Sequence, residues 1–317
     1  ALMPLFSWLP NAHASKGSPS VISAILSGLY VKASIYLFIR ISDMFSPVID
    51  LSGFFMVMGI LTGVVGFILA ISQKDIKLIL AYSTISQLGL IMAGINTPGE
   101  LAFYGSIYHI LNHAFFKTAL FLTAGIISET YGTRNLNQIK GLFKSMPLTA
   151  VSSLMAILGI TGAPMFNGSI SKYMMQSGSG GFVDYSILFV NIGTIIIFIK
   201  YSSMFFGTLD SKIPKANTVR SATTFVLSSI CFLGGIIGAP LVGYLFKIKI
   251  EIMPLEYLDK SLIFLLSLLI AYVLYTLIIK DLRFIEKVRT FELGFNDVCI
   301  SIVLFFIITT VITYIRI

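Results

Sequence analysis

This sequence predicts an all-α fold, a polytopic transmembrane helix bundle containing discontinuous helices. Composition, repeated apolar runs and one helix carrying ionisable residues on a single stripe support that prediction. Of the 317 residues, 56% are hydrophobic and only 11% charged, and the mean hydropathy is +0.92. A soluble domain carries roughly a quarter charged residues. Runs of about 20 apolar residues, each long enough to cross the hydrocarbon core, recur from one end of the chain to the other. A membrane β-barrel would instead show short segments of alternating polarity.

The elements follow in order. Residues 1–10 read as the end of a helix broken at Pro10, followed by a polar stretch, Asn11 to Pro19, that holds His13, Lys16 and Gly17. A helix over 20–44 comes next, then apolar segments near 51–72, 84–97, 101–128, 147–166, 181–207, 220–246, 261–280 and 298–315. Polar residues interrupt the pattern at Gln73 to Lys77 with Ala81 to Thr84, and again at Thr161 to Gly168. Irregular backbone at membrane depth is tolerated where it is buried in protein or lines a wet cavity. Paired interrupted helices are a transporter's sequence pointer to its ion path, so 1–44 and 147–178 are candidate path elements. The competing reading is an ordinary Pro/Gly loop between two spans. The opening at Ala1, already inside an apolar segment, is too short before Pro10 for a signal peptide. It reads as the C-terminal portion of a longer protein, or as a chain lacking its first residues.

The stretch Gly105 to Leu122 places His109, His113 and Lys117 at successive i, i+4 positions, on one face of one helix. An ionisable group at the bilayer centre costs about 2.5–3.5 kcal/mol on insertion scales, so three in register need partners or a wet cavity. Histidine titrates near neutral pH, and the stripe reads as a proton relay. Two histidines at this spacing can also chelate zinc, but no carboxylate accompanies them in the helix and Lys117 would repel a cation. Lys32 lies deep in its span, beyond easy snorkelling. Lys77 sits at a segment junction and reads equally as an interfacial lysine. Lys172 follows the Pro164/Gly168 break, either capping a helix C-terminus or lying at the bend of a broken helix. Lys200 is a further buried lysine, as readily paired with a structural carboxylate as carrying protons.

Acidic residues fall near segment ends: Asp43, Asp50, Glu100, Glu129, Asp184, Asp210, Glu251, Glu256 and Asp259. No acid that would tune the buried lysines is evident. The formal net charge of +8 is accounted for by loops facing the negative side of the membrane. No aromatic-interleaved basic patch supports a nucleic-acid partner. Cys231 and Cys299 lie in separate apolar segments without a CxxC, and both read as buried apolar filler. No quinone, flavin or iron–sulfur motif is visible, and no cofactor or metal is expected.

Pro4 to His13, followed by Ser18 to Ala24, resembles the PLHxWLPDAH…PxPVSALL signature of antiporter-like subunits. These occur in respiratory complex I, Mrp cation/proton antiporters and energy-converting membrane hydrogenases. Asp75 to Gln87, His109 to Leu122, and Gly162-Ala163-Pro164 through Lys172 also match, in the expected order, over most of 1–207. The resemblance implies discontinuous helices meeting a mid-membrane chain of charged residues. By position, Lys32, Lys77, His109, His113, Lys117 and Lys172 would lie on or beside that axis. It also implies that the lysine of the first broken helix lies just upstream of the residue matching Ala1, and its paired glutamate earlier still. The charged connector Asp281 to Val298 resembles Mrp D-type and membrane-hydrogenase or sulfane-reductase subunits more than a complex I subunit with a long lateral helix.

Two parts follow. Residues 1–207 form an antiporter-like proton-translocation module, and 208–317 form C-terminal transmembrane helices with an amphipathic connector at about 281–297. The expected function is proton, or sodium, translocation within a multisubunit complex of the cell membrane. The expected partners are a second antiporter-like or small membrane subunit, other membrane subunits, and a redox module on other chains. The axis lacks the carboxylate and carbonyl oxygens sodium would want, which favours protons. The alternatives are a stand-alone cation/proton antiporter, normally with an internal repeat, and a structural subunit that does not conduct.

Overall fold

The computed structural model describes residues 2–15, 18–208, 217–248, 254–289 and 294–316. Ala1, Lys16, Gly17, Asp210, Glu251 and the connector residues 290–293 lie outside them. Among the described residues the regular elements are helices, with one isolated bridge between Asp75 and Asn135, and eight helices are long and apolar enough to cross a membrane.

The opening is not a helix end. A short helix, α1 (Trp8–Ala14), starts there. Pro10 sits in its first turn, where the missing N–H costs nothing. Next, α2 (Ser20–Ile25) runs through a π-helical turn, Leu26–Tyr30, into α3 (Val31–Phe45). The candidate path element 1–44 is therefore interrupted by a π-turn that no Pro or Gly-Pro signal announces.

A hairpin of α4 (Ser52–Ser72) and α5 (Ile76–Ile95) forms the centre. Its two helices touch backbone to backbone at small residues, the way membrane helices gain packing without a hydrophobic force between them. A Cβ on Gly89 would lie 2.3 Å from the Gly63 nitrogen, so the contact needs glycine. The apolar segment placed near 84–97 is longer than expected. Helix α5 begins at Ile76 because the Asp75 carboxylate caps it, accepting from Lys77 N at 2.8 Å and Leu78 N at 3.3 Å. Its polar residues Lys77, Ser83, Thr84 and Gln87 are all buried, which is why a hydropathy window starts it too late.

The 32-residue α6 (Glu100–Tyr131) packs against α2, α5, α8, α9 and α11. A one-turn helix, α7 (Leu142–Ser145), precedes α8 (Pro147–Thr161), which has proline at its N-terminus. At Gly162 (φ +80°) the chain leaves the helix, and it re-enters as α9 (Asn167–Ser177). This is the second interruption foreseen at 161–168. Met165 takes a positive φ of 67°, a costly conformation for a side chain with a Cβ. Its N–H donates to the Tyr257 hydroxyl at 2.7 Å, which pins the break from outside.

Helix α10 (Gly181–Tyr201) returns beside it. The segment 220–246, read as one run, is two helices, α11 (Thr218–Ile236) and α12 (Gly238–Phe246). A Cβ on Gly235 would lie 2.0 Å from the Met165 carbonyl, so this bend seats directly on the α8–α9 break. At the periphery are α13 (Pro254–Leu277), α14 (Arg283–Arg289) and α15 (Phe295–Arg316). Cys231 is buried filler as expected, but Cys299 is exposed, since α15 lies on the outside of the bundle.

Candidate functional site

The continuous helix α6 holds His109, His113 and Lys117 in register, and none of the three has any exposed surface. Each is met differently. His109 joins three helices: its Nδ1 is 2.9 Å from Ser171 Oγ on α9 and its Nε2 3.0 Å from Gln87 Oε1 on α5. Gln87 in turn donates to Thr194 Oγ1 on α10 at 2.9 Å. A neutral imidazole has one donor and one acceptor nitrogen. With Gln87 accepting at Nε2–H, Nδ1 accepts from the Ser171 hydroxyl. That hydroxyl has a second acceptor in reach, the Gly168 carbonyl at 3.3 Å. Rotating it frees Nδ1 to take a proton.

The His113 ring lies 6.5 Å from that of His109 and 5.3 Å from Phe116, and neither of its nitrogens has a protein partner. Lys117 donates to the Leu80 carbonyl at 2.9 Å and to the Ser83 hydroxyl. Both acceptors come from α5, whose Ser83 thus turns a helix face of small polar groups toward α6.

Lys172 sits in the second turn of α9, buried. Its ammonium reaches back across the break to the Ile160 carbonyl at 2.6 Å and to Asn191 Oδ1 on α10. It lies at the bend and donates to the last turn of α8. A cleft of about 50 Å³ opens beside it, lined also by Asn191, Gln176, Lys260, Ser261 and Ser267. The last three form a polar stripe on the otherwise leucine-rich α13.

Lys32 follows the π-turn and donates to the Ser27 carbonyl within that turn. The Ser27 hydroxyl bonds Thr84 Oγ1 on α5 at 2.7 Å, tying the turn to the centre. Lys32 itself is half-buried. The fields of Lys32 and Lys172 both reach His109 and His113.

Lys77 is buried at the start of α5. Its ammonium donates to the Ser18 carbonyl at 2.9 Å, on the wall of an open polar cleft of about 600 Å³ that Glu129 and Arg134 also line. Arg134 pairs with Asp75 at 3.0 Å. Carboxylates thus stand near Lys77, whereas Lys32, Lys117 and Lys172 are met by carbonyl, hydroxyl and amide oxygens. Lys200 donates to the Ile71 and Gln73 carbonyls at the end of α4, and among the described residues it forms no salt bridge.

Sequence reasoning left His13 in a polar loop. The structure buries it completely, stacked on Phe121 with ring centroids 4.5 Å apart and both nitrogens without a partner among the described residues. Phe121 is one turn beyond Lys117, so His13 extends the α6 stripe, within the fields of Lys117 and Lys77. Gln87, Ser171 and Asn191 were also missed as site residues. The signal that marks them is the one used for the lysines: a strongly polar side chain inside an apolar span. Among the described residues, no three of His, Cys, Asp and Glu stand together in a way that would hold a metal ion.

A family model described as NADH:quinone oxidoreductase/Mrp antiporter, TM, matches residues 1–199. The A-type subunit of the Na⁺/H⁺ antiporter of Alkalihalophilus pseudofirmus is 34% identical over 270 residues, covering 75% of this chain and 33% of that protein. A probable K⁺/H⁺ antiporter subunit of A/B type from Rhizobium meliloti is 41% identical over 179 residues, 55% of this chain and 17% of that protein. The chain therefore spans a third or less of these curated relatives. A chain of the archaeal membrane-bound sulfane sulfur reductase superposes with a TM-score of 0.72 at 26% identity, covering 83% of this chain and 55% of that one. An Mrp complex chain from a Dietzia species gives 0.70 at 22% identity over 91% of this chain and 58% of that one, and shows the shared fold. The expectation from the connector is a D-type Mrp, membrane-hydrogenase or sulfane-reductase subunit; these curated relatives are of A and A/B type, and the sulfane reductase is among the similar structures. With the model matched over well over half its length, the chain belongs to the NADH:quinone oxidoreductase/Mrp antiporter transmembrane family.

Proposed function

We propose that this chain moves protons through the membrane along a line of lysines, histidines and water, as one component of a multisubunit complex. The observation that carries this reading is the fully buried His109–His113–Lys117 stripe, whose partners are neutral oxygens or absent. A buried polar atom without a protein partner costs about 1–3 kcal/mol, and buried water is the usual remedy. Water beside His113 and His13 would join the groups that direct bonds leave separate.

The line runs from the cleft at Lys77, past His13, to Lys117, His113 and His109, and on to Lys172 and the cleft at Lys260. Lys32 sets the field at its middle. Charge arriving at one group raises the cost of charge on its neighbour, so a proton at Lys117 drives His113 toward release, and the disturbance propagates. Rotation of the Ser171 hydroxyl sets whether His109 Nδ1 can accept. Among the described residues the hydrogen-bond partners of the stripe are neutral oxygens and no carboxylate, which favours a proton over sodium on this path. In complexes named for Na⁺/H⁺ or K⁺/H⁺ exchange, the counter-ion would then pass elsewhere.

Residues 1–207 would form the translocating module and 208–317 its C-terminal helices. Other membrane subunits, one of them antiporter-like or small, would adjoin it, with any redox module on other chains. The end of the bundle holding the loops after α4, α6 and α13 carries Lys74, Arg134, Lys140, Lys144, Lys280 and Arg283. The opposite end carries fewer described cations, Arg40 and Lys247, beside Asp43, Asp50, Glu100 and Asp184. By the positive-inside tendency, the basic end faces the cytoplasm of a cell membrane.

The test is proton translocation in vesicles containing the whole complex, wild type against Lys117→Ala, with assembly followed in parallel. Translocation is expected to be abolished while assembly persists. Unchanged translocation would overturn the assignment and make α6 scaffold.

A further inference from the structure

At the basic end of the bundle, a cleft of about 450 Å³ opens between the end of α4, α10 and the α13–α14 junction. Lys74, Lys200, Lys280, Arg283 and Arg289 line it, against two carboxylates, Asp281 and Glu286. We propose that this cleft binds the anionic phosphate headgroup of a glycerophospholipid from the adjoining leaflet. The inference rests on the cleft's own charges and place, and holds whether or not the proton path is as assigned above.

Three distant stretches of chain bring their cations to one place, and the fold fixes two of them there. Lys200 is held by the Ile71 and Gln73 carbonyls, and Arg289 Nε donates to the Ser72 carbonyl at 2.7 Å. Both heads are thus anchored on the end of α4, with Lys74 and Arg289 within electrostatic reach of Lys200. Three other cations at the same end have partners: Arg134 has Asp75, Arg220 has Glu129, and Lys140 has the Ser203 carbonyl. Lys74, Lys280 and Arg283 have none among the described residues. Five cations against two carboxylates leave the cleft with excess positive charge, and an anion in it lowers their mutual repulsion.

The other lining chemistry selects a lipid over a soluble anion. Ile71, Tyr275, Ile279 and Ile285 give the cleft an apolar floor. It continues onto the outward face of α13, where Tyr272, Val273 and Leu277 are exposed at a depth where acyl chains lie. A tyrosine at the boundary, basic groups above it and an apolar track below match a phospholipid from headgroup to tail.

The test is native mass spectrometry of the purified parent complex, titrated with phosphatidylglycerol and, separately, phosphatidylcholine. The wild type is expected to take up phosphatidylglycerol preferentially. Lys280→Gln with Arg283→Gln should weaken that uptake by about fivefold per charge removed, and Lys74→Gln alone by a similar single step. Lys144→Gln with Arg220→Gln, which removes the same charge from the same end outside the cleft, should leave it unchanged. Equal uptake of the two lipids, or equal loss in the control pair, would overturn the proposal and leave a solvated basic face. Loss of the preference on adding inorganic phosphate would also overturn it, by making the site one for a soluble anion. Proton translocation is read separately, so failure here leaves the relay untouched and failure of the relay leaves the lipid site standing.

Discussion

The chain interrupts two membrane helices, and it does so in opposite ways. Between α2 and α3 the helix is never lost. A π-turn inserts one extra residue's worth of backbone, and Lys32 binds a carbonyl of its own turn. Between α8 and α9 the helix stops at Gly162, crosses Met165 with a positive φ, and restarts, and Lys172 spans the gap to Ile160 and Asn191. The first device keeps nearly all its backbone hydrogen bonds and sits on a helix whose outer face is open. The second gives them up and must be buried, with neighbours such as Tyr257 supplying what the backbone lacks. Each places an ammonium at membrane depth on backbone oxygen, so the lysine serves the helix as well as the proposed proton path.

Replacing the two lysines is the most severe way to break that comparison. Both Lys172→Ala and Lys32→Ala are expected to stop proton translocation, but only the first should destabilise the protein clearly. It leaves the Ile160 carbonyl, a buried acceptor, without its donor, at about 1–3 kcal/mol, and takes a second bond from Asn191, whereas Lys32→Ala frees the Ser27 carbonyl alone. Thermal unfolding of the two complexes checks this, and equal losses of stability would mean that the breaks are equivalent.

A smaller effect is expected from Gly162→Ala. The left-handed backbone costs a side-chain-bearing residue about 1–2 kcal/mol, and the new Cβ would lie 2.9 Å from Lys172 Cδ. Translocation should fall several-fold with assembly intact, and activity at the wild-type level would show that Lys172 tolerates displacement.

The mildest test concerns the π-turn. A Cβ on Gly28 would lie 2.2 Å from Thr118 Oγ1 on α6, an overpacking worth about 1–3 kcal/mol. Gly28→Ala should slow translocation modestly, and adding Thr118→Ala should restore it. No restoration would mean that glycine is needed in the turn itself rather than at the α6 contact.

The α6 stripe was legible because the helical period alone puts His109, His113 and Lys117 on one face. The break at 161–168 was legible because Gly162 and Pro164 announce it. The π-turn was not, since Leu26-Ser27-Gly28-Leu29-Tyr30 contains nothing that a regular helix refuses. Nor was the bend between α11 and α12, which has no proline at its centre and arises where Gly235 meets the Met165 carbonyl. His13 reads as a loop residue because its neighbours Asn11 and Lys16 are polar. Its burial depends on Phe121, more than a hundred positions away.

Composition and period by themselves determined that this chain is a helical membrane protein, and which helix carries titratable groups inward. Those properties depend on transfer free energies and on 3.6 residues per turn, which are local. What each buried group touches was decided by tertiary structure: carbonyls of Leu80 and Ile160 for two lysines, Ser171 and Gln87 for His109, helix ends for Lys200. A cation in a membrane must find oxygen, and backbone oxygen is available at every residue of every helix. The sequence therefore announces the need for a partner, and only the packing of the helices selects one.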